Sequence, residues 1–272
     1  MQLLSGHAST TWSSIPKKFK LLQHGKDLSL KLPYNLPGGL TLSVEDDPVK
    51  DLGVHTNNDL SWDSHIAIKT TDARNKASWL LRTFTLRDKD TMLLLYKTYV
   101  RFYVEYCCPV WSPYSVGQIS AVESIQRSFT SRIDDMDGLN YWQRLEKLDM
   151  FSLQRRRERY AIILMWKMQQ DIIPNCINVS FTSSDRRGYT CIRPRGQSKF
   201  ASVNTLLYNS FSSSGPAIYN VVPPHIKAIK SLDSFKSHLD KWLKSFPDTP
   251  PTPGYVAVNR NSIMEWTSSK QN

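Results

Sequence analysis

The apolar positions change period once along the chain. Up to Val54 they fall in short runs, at residues 19–22, 28–31, 40–44 and 49–54, separated by Pro33, Pro37-Gly38-Gly39 and Asp46-Asp47-Pro48. Short runs bounded by turn residues predict strands of a small antiparallel meander. So few strands bury little alone, so this piece is expected at the edge of a larger sheet or leaning on the helices after it. From Asp63 onward the period is helical. Asp63 or Ser64 can cap a helix with Ile66, Ala73, Ala77, Leu80, Leu81 and Phe84 on one face. A second helix carries Leu95, Tyr99, Phe102 and Tyr106, and a third Ile119, Val122, Ile125, Phe129 and Ile133. Asp137-Gly138 breaks the pattern, Tyr141 opens a short helix, and Ser152 caps a longer one reaching about Gln170. Residues 178–208 are polar and irregular, and a closing helix at 232–246 aligns Phe235, Leu239, Trp242, Leu243 and Phe246. The fold class is mainly α with a small antiparallel β segment near the N-terminus (α+β). The divisions are a disordered lead-in at 1–15, the β segment at 16–62, a helical domain at 63–175, a basic loop and closing helix at 176–246, and an extended Pro-rich tail at 247–272.

The stretch 96–114, YKTYVRFYVEYCCPVWSPY, concentrates seven aromatics in a chain that is 11% aromatic. It predicts a buried aromatic helix, because such faces are most often core. Pro109 and Pro113 then predict a rigid extended corner, since each lacks an amide hydrogen and disfavours helix in the residue before it.

Charge changes this picture. The formal net charge is +11, and residues 140–199 hold twelve Lys or Arg against five Asp or Glu. An excess so localised fits either a polyanionic partner, most simply nucleic acid, or a solvated face. Within it, Leu153, Tyr160, Ile163, Leu164 and Met168 form the apolar set of the helix after Ser152, leaving much of the group Arg155, Arg156, Arg157 and Arg159 on its other faces. Planar guanidinium donors bind phosphate bidentately, so these arginines are candidate backbone contacts, with local ion pairing as the plainer reading. Arg186, Arg187, Arg193 and Arg195 suit a basic loop that follows a phosphate backbone. The four cysteines make no CxxC spacing, and Cys107 and Cys108 are adjacent, so reduced thiols in cytoplasm or nucleus are expected. The six histidines show no metal-ligand spacing, and no phosphate loop or nucleophile elbow occurs. No catalytic, cofactor-binding or metal residues are assigned, and no apolar run is long enough to span a bilayer.

Several stretches carry a resemblance. Pro16-Lys17-Lys18-Phe19, Gly25, Val49-Lys50-Asp51-Leu52-Gly53-Val54, Leu60-Ser61-Trp62 and His65-Ile66 are followed by the aromatic helix ending Glu-Tyr-Cys-Cys-Pro-Val-Trp-Ser-Pro. Gly215-Pro216 with Tyr219-Asn220, Pro223-Pro224, the helix around Phe235-Lys236 and Trp242-Leu243, Pro253-Gly254-Tyr255 and the segment at 261–266 complete the set. In this order, over residues 16–266, they resemble the end of the palm, the thumb and the downstream region of reverse transcriptases of LINE-type (non-LTR) retrotransposons. The resemblance implies a helical thumb-like bundle. It implies that Leu52 and Gly53 belong to the primer grip, which holds the DNA 3′ end. It makes Lys18 the nearest match to a lysine implicated in proton donation to pyrophosphate, with Ile15 where the family has Asn. A strand glycine at 53 would also serve a bulge or close backbone approach.

The parent activity is RNA-directed DNA synthesis with Mg, which needs aspartates to bind two metal ions. The family's aromatic-x-Asp-Asp turn lies upstream of the grip. Asp46-Asp47 before a proline and Asp134-Asp135 at a helix end lie outside that motif and read as surface or capping carboxylates. The expectation is therefore a truncated transposable-element product without polymerase activity alone. Its partners would be RNA or an RNA–DNA primer–template and the parent's palm and fingers, with no membrane and no cofactor of its own. The alternatives are a host-used nucleic-acid-binding protein derived from the element, and a non-catalytic interaction scaffold or translated relic.

Overall fold

A computed structural model describes residues 20–24, 33–35, 41–45, 48–182, 191–192, 198–199, 201–249 and 261–268. The lead-in at 1–15, Lys18, the strand expected at 28–31, the four loop arginines 186, 187, 193 and 195, and the Pro-rich residues 250–260 lie outside them. Two compact units are present, Met1–Ser64 and His65–Asn272.

In the first unit the expected meander is two separate antiparallel pairs. β1 (Tyr34–Asn35) pairs with β2 (Thr41–Leu42), and β3 (Val49–Asp51) pairs with β4 (Val54–Thr56). The second hairpin is the better defined. Asp51 faces Val54, so Leu52 and Gly53 alone form the turn, with φ of 44° and 87°. Two successive positive φ values make the tight turn whose twist matches that of paired strands. Gly53 takes this region without cost, whereas Leu52 does so against its side chain.

The second unit is helical. Its elements are α1 (Asp63–Thr83), α2 (Lys89–Leu95), a π-helical turn (Tyr96–Val100), α3 (Arg101–Glu105), α4 (Cys108–Trp111), α5 (Val116–Thr130), α6 (Tyr141–Lys147), α7 (Leu153–Gln169), α8 (Ala201–Asn209), α9 (Phe211–Val221), α10 (Pro224–Lys227), α11 (Leu232–Lys244) and α12 (Ile263–Ser268). The cap expected at α7 is present, the Ser152 hydroxyl accepting from the Arg155 amide, and Ser115 caps α5 in the same way, its hydroxyl accepting from the Gln118 amide. Asn140 and Gln143 add a reciprocal capping box at α6. All five apolar positions expected on the third helix, from Ile119 to Ile133, are buried. On α1, Ile66, Ala73, Ala77 and Leu80 are buried, but Phe84 lies beyond the helix end and is exposed.

Three expectations fail for identifiable reasons. Of the expected face Leu95 is buried, but beyond it the helix buries Tyr96, Val100 and Val104 and exposes Tyr99, Phe102 and Tyr106. The π turn adds a residue to one turn and so rotates everything after it relative to a regular helix. The corner at 107–113 is not extended. Cys107 takes a left-handed conformation (φ 52°) that lets α4 restart at once, with Pro109 in its first turn where no amide is needed. Trp111 is thereby fully buried, its indole donating to the Tyr106 carbonyl at 2.7 Å and its ring 4.9 Å from that of His65. Finally, α8 and α9 are helices where the sequence shows small and polar residues. A Cβ on Gly215 would lie 2.9 Å from the Phe211 ring and 3.1 Å from the Met165 sulfur, so glycine permits the close packing of α9 on α7.

The larger core gathers α7, α9, α10 and α11. Ile162, Met165 and Trp166 meet Ile218, Tyr219, Phe235, Leu239 and Leu243. Trp166 stacks on Phe235 at 4.6 Å with 13° between planes, and its indole donates to the Ile229 carbonyl. Phe235→Ala removes the stacking partner of the central tryptophan and should cost about 3–5 kcal/mol of unfolding free energy, read by urea denaturation.

Candidate nucleic-acid interface

Helix α7 was the expected phosphate-contacting element, and the structure turns it inward. It packs against α4, α5 and α9, so apolar residues line several of its sides and its arginines enter the interior. Arg155 is fully buried. Its Nη atoms donate to the carbonyls of Leu243 and Pro247, each at 3.0 Å, which satisfies acceptors left open at the end of α11. Arg157 is 5% exposed and sits against Glu123, Cys108 and Glu158. Neither is available to an external phosphate. Apolar periodicity assigned them to outer faces because it cannot show that a helix is enclosed on most sides.

Arg156 and Arg159 remain half-buried. Arg156 makes a two-pronged pair with Glu105, its Nη2 lying 2.9 Å from Oε2, and also donates to the Tyr160 hydroxyl at 2.7 Å. Burial acts against the Arg156 charge, but the Glu105 hydrogen bonds outweigh it and its pKa ends above the ordinary value. Arg159 pairs in the same fork geometry with Asp240 of α11.

These two arginines meet residues that sequence reasoning did not single out. Lys97, Arg101, Arg156 and Arg159 line an open pocket of about 310 Å³ with Asp149, Asp240, Met150 and Phe151. Glu105 serves two guanidinium groups at once, since Arg101 Nε lies 3.4 Å from Oε2 of the carboxylate that Arg156 holds. Asp149 is taken by Lys244 at 2.6 Å. Cations therefore exceed the carboxylates around this pocket. Burial, then the neighbouring Arg156, lowers the Arg101 pKa, as expected of a guanidinium crowded by like charge. The segment that supplies Lys97 and Arg101 also exposes Tyr99, Phe102 and Tyr106, with Phe102 and Tyr106 rings 5.4 Å apart. A second aromatic–cation group lies on α1, where the Lys76 ammonium stands 4.9 Å from the centre of the half-exposed Trp79 ring. Lys97 and Arg101, four residues apart and interleaved with Tyr99 and Phe102, were the available signal. The aromatics masked it by reading as core.

In the first unit, Leu52 at the hairpin turn is 84% exposed, and Gly53 beside it carries no side chain. Asp134 and Asp135 are exposed beyond the end of α5. Among the described residues no group of three or more His, Cys, Asp or Glu side chains is arranged to hold a metal ion, and no helix is long and apolar enough to cross a membrane. Comparison of the chain with protein-family models, curated proteins and solved structures finds no match.

Two predictions separate structural from surface charge. Arg155→Gln leaves buried carbonyls without donors and should cost about 3 kcal/mol in urea unfolding, while Lys97→Gln should leave stability within about 0.5 kcal/mol. Glu158 supplies the second. Burial raises its carboxyl from 4.5 to about 7, against the hydrogen bonds from Ser262 and the Ile263 amide. A raised carboxyl binds its proton more tightly in the folded chain, so folded stability falls as pH rises from about 4.5 through 7. Glu158→Gln should flatten that fall by about 3 kcal/mol, measured as the change in unfolding free energy between acid and mildly alkaline buffer.

Proposed function

We propose that this chain is a nucleic-acid-binding piece of a LINE-type reverse transcriptase, covering the end of the palm, the thumb and the downstream region, and that it holds an RNA–DNA primer–template without polymerising. The observation that carries the binding part is the pocket where Lys97 stands beside Arg101, Arg156 and Arg159, two of which share the single carboxylate of Glu105, on a segment that also exposes Tyr99, Phe102 and Tyr106. Cations that follow a backbone, joined to aromatic faces on which bases stack, are the combination that grips single strands and strand ends. The hairpin turn supports the polymerase part. The resemblance assigns Leu52-Gly53 to the primer grip, and an exposed apolar residue beside a glycine suits close approach to a sugar–phosphate chain. The interface of this reading is Lys97, Arg101, Arg156 and Arg159 with the exposed aromatics. Arg155 and Arg157 are structural.

Fluorescence anisotropy of a labelled RNA–DNA primer–template, titrated across a salt series with the full chain, tests the reading. Binding should weaken with salt with a log–log slope of about −2 to −4. Lys97→Glu should weaken it about tenfold at low salt, because one exposed charge is reversed where no fold contact depends on it. Leu52→Asn removes the apolar tip while giving the turn a residue that accepts its backbone, so affinity should fall as stability holds or rises. Affinity indifferent to salt and to Lys97→Glu, from a chain with intact helical circular dichroism, would leave the interaction-scaffold reading in its place.

A further inference from the structure

The four-cation pocket joins Lys97 of the π turn and Arg101 of α3 to Arg156 and Arg159 of α7, with Asp149 and Asp240 also in its wall. Its charges do not cancel. Asp149 is held by Lys244, Asp240 by Arg159, and the single Glu105 carboxylate by both Arg101 and Arg156. Five cations and three carboxylates therefore meet here, an excess of two positive charges. The ion pairs also leave donors over. They engage Nε of Arg101 and Nε and Nη2 of Arg156 and Arg159, so both terminal nitrogens of Arg101, Nη1 of the other two arginines and the Lys97 ammonium take no part in them. These side chains reach solvent. Those of Arg101, Arg156 and Arg159 are 19%, 16% and 17% exposed, Lys97 is exposed outright, and none of the spare nitrogens is sealed as the Arg157 terminal nitrogens are.

Two features decide which phosphate fits. At about 310 Å³ the pocket takes a phosphate group with its sugar and not a duplex. Asp149 and Asp240 stand in its wall, so a strand that ran on through it would bring further phosphates against carboxylates. A strand end escapes that repulsion, because a single phosphate enters. An end that carries a phosphate monoester also has nearly two negative charges, where an internal diester has one, and so matches the excess of two. We infer that the pocket receives the terminal phosphate monoester of a nucleic-acid strand, held by the Lys97 ammonium and the spare terminal nitrogens of Arg101. This rests on the nucleic-acid reading and adds to it a choice of strand end.

The test titrates the full chain, by fluorescence anisotropy, with an RNA–DNA primer–template whose primer ends in either a 5′-hydroxyl or a 5′-phosphate. At about pH 7.5 the phosphate should tighten binding about fivefold, the effect of one added charge at close range in water. A 3′-phosphate on the primer should tighten it as much, since the pocket reads the dianion and not the polarity of the strand. The gain should fall away at about pH 5, where the monoester has lost its second charge. Lys97→Gln should erase the preference in a chain whose helical circular dichroism is unchanged. Asp149→Asn removes a wall carboxylate at a position of positive φ that Asn also accepts, so the hydroxyl-ended duplex should bind more tightly and the preference narrow. Equal binding of the two 5′ ends by the native chain would overturn the inference and leave the nucleic-acid reading standing. So would a preference untouched by acid or by Lys97→Gln. Binding of neither duplex would overturn both.

Discussion

The start of α7 is the constraint on which the helical unit depends. Four consecutive amides at a buried helix end must each find an acceptor, and two residues, Glu123 and Ser152, supply all of them. The Leu153 and Gln154 amides donate to the Glu123 carboxylate of α5, at 3.0 and 3.3 Å. Arg155 donates to the Ser152 hydroxyl, and Arg156 to the Ser152 carbonyl. Ser152 itself donates through its amide and hydroxyl to Asp248, beyond α11, and accepts from Asn261, beside α12. One helix terminus therefore joins segments a hundred residues apart, and negative charge from Glu123 and Asp248 sits where the helix dipole favours it. The network extends further. Tyr141 donates to Glu123, Gln126 donates to Tyr141 at 3.0 Å and to the Phe151 carbonyl, and Tyr96 donates to Gln126 at 2.9 Å. Burial pushes the hydroxyls of Tyr96 and Tyr141 well above their ordinary pKa, so both stay as donors.

Charge in this protein therefore has two separate uses. Arginine within α7 is a scaffold material. Arg155 closes the end of α11, Arg156 ties α7 to Glu105, Arg159 ties it to Asp240, and Arg144 donates to the Leu139 and Arg127 carbonyls beneath α6. Part of the basic excess at 140–199 is thus consumed within the fold. What remains for an external anion comes largely from Lys97 and Arg101, in a stretch whose overall charge is close to balanced. A regional count of charges measured composition, and the fold decided which of those charges reach solvent.

The sequence was most legible where a local rule settled the outcome. Ser152 marked a helix start because a short side-chain acceptor at that position satisfies an amide wherever the helix goes next, and Ser115 and Asn140, which act in the same way, were open to the same reading. The five-residue stripe of α5 was legible because the helix is regular and covered on one side. Legibility failed where the outcome was set by neighbours remote in sequence. Nothing near Arg155 announces the α11 carbonyls that hold it, and nothing near Ser212 or Gly215 announces the groove of α7 that makes α9 a helix. The aromatic stretch failed differently. Its spacing was read with a uniform 3.6-residue period, and one turn of the helix does not have that period.

That turn, at Tyr96–Val100, makes the face of everything from Arg101 to Glu105 depend on a count of one residue. Substitutions on this segment change one side chain at a time, whereas a change of length is met by the turn itself. Removing a single residue at 96–100 would take out the extra residue that the wide turn holds, leave a regular helix, and keep Val104 inside and Phe102 and Tyr106 outside. A further inserted residue would instead rotate the segment after it by about 100° and carry the exposed aromatics off the surface they form.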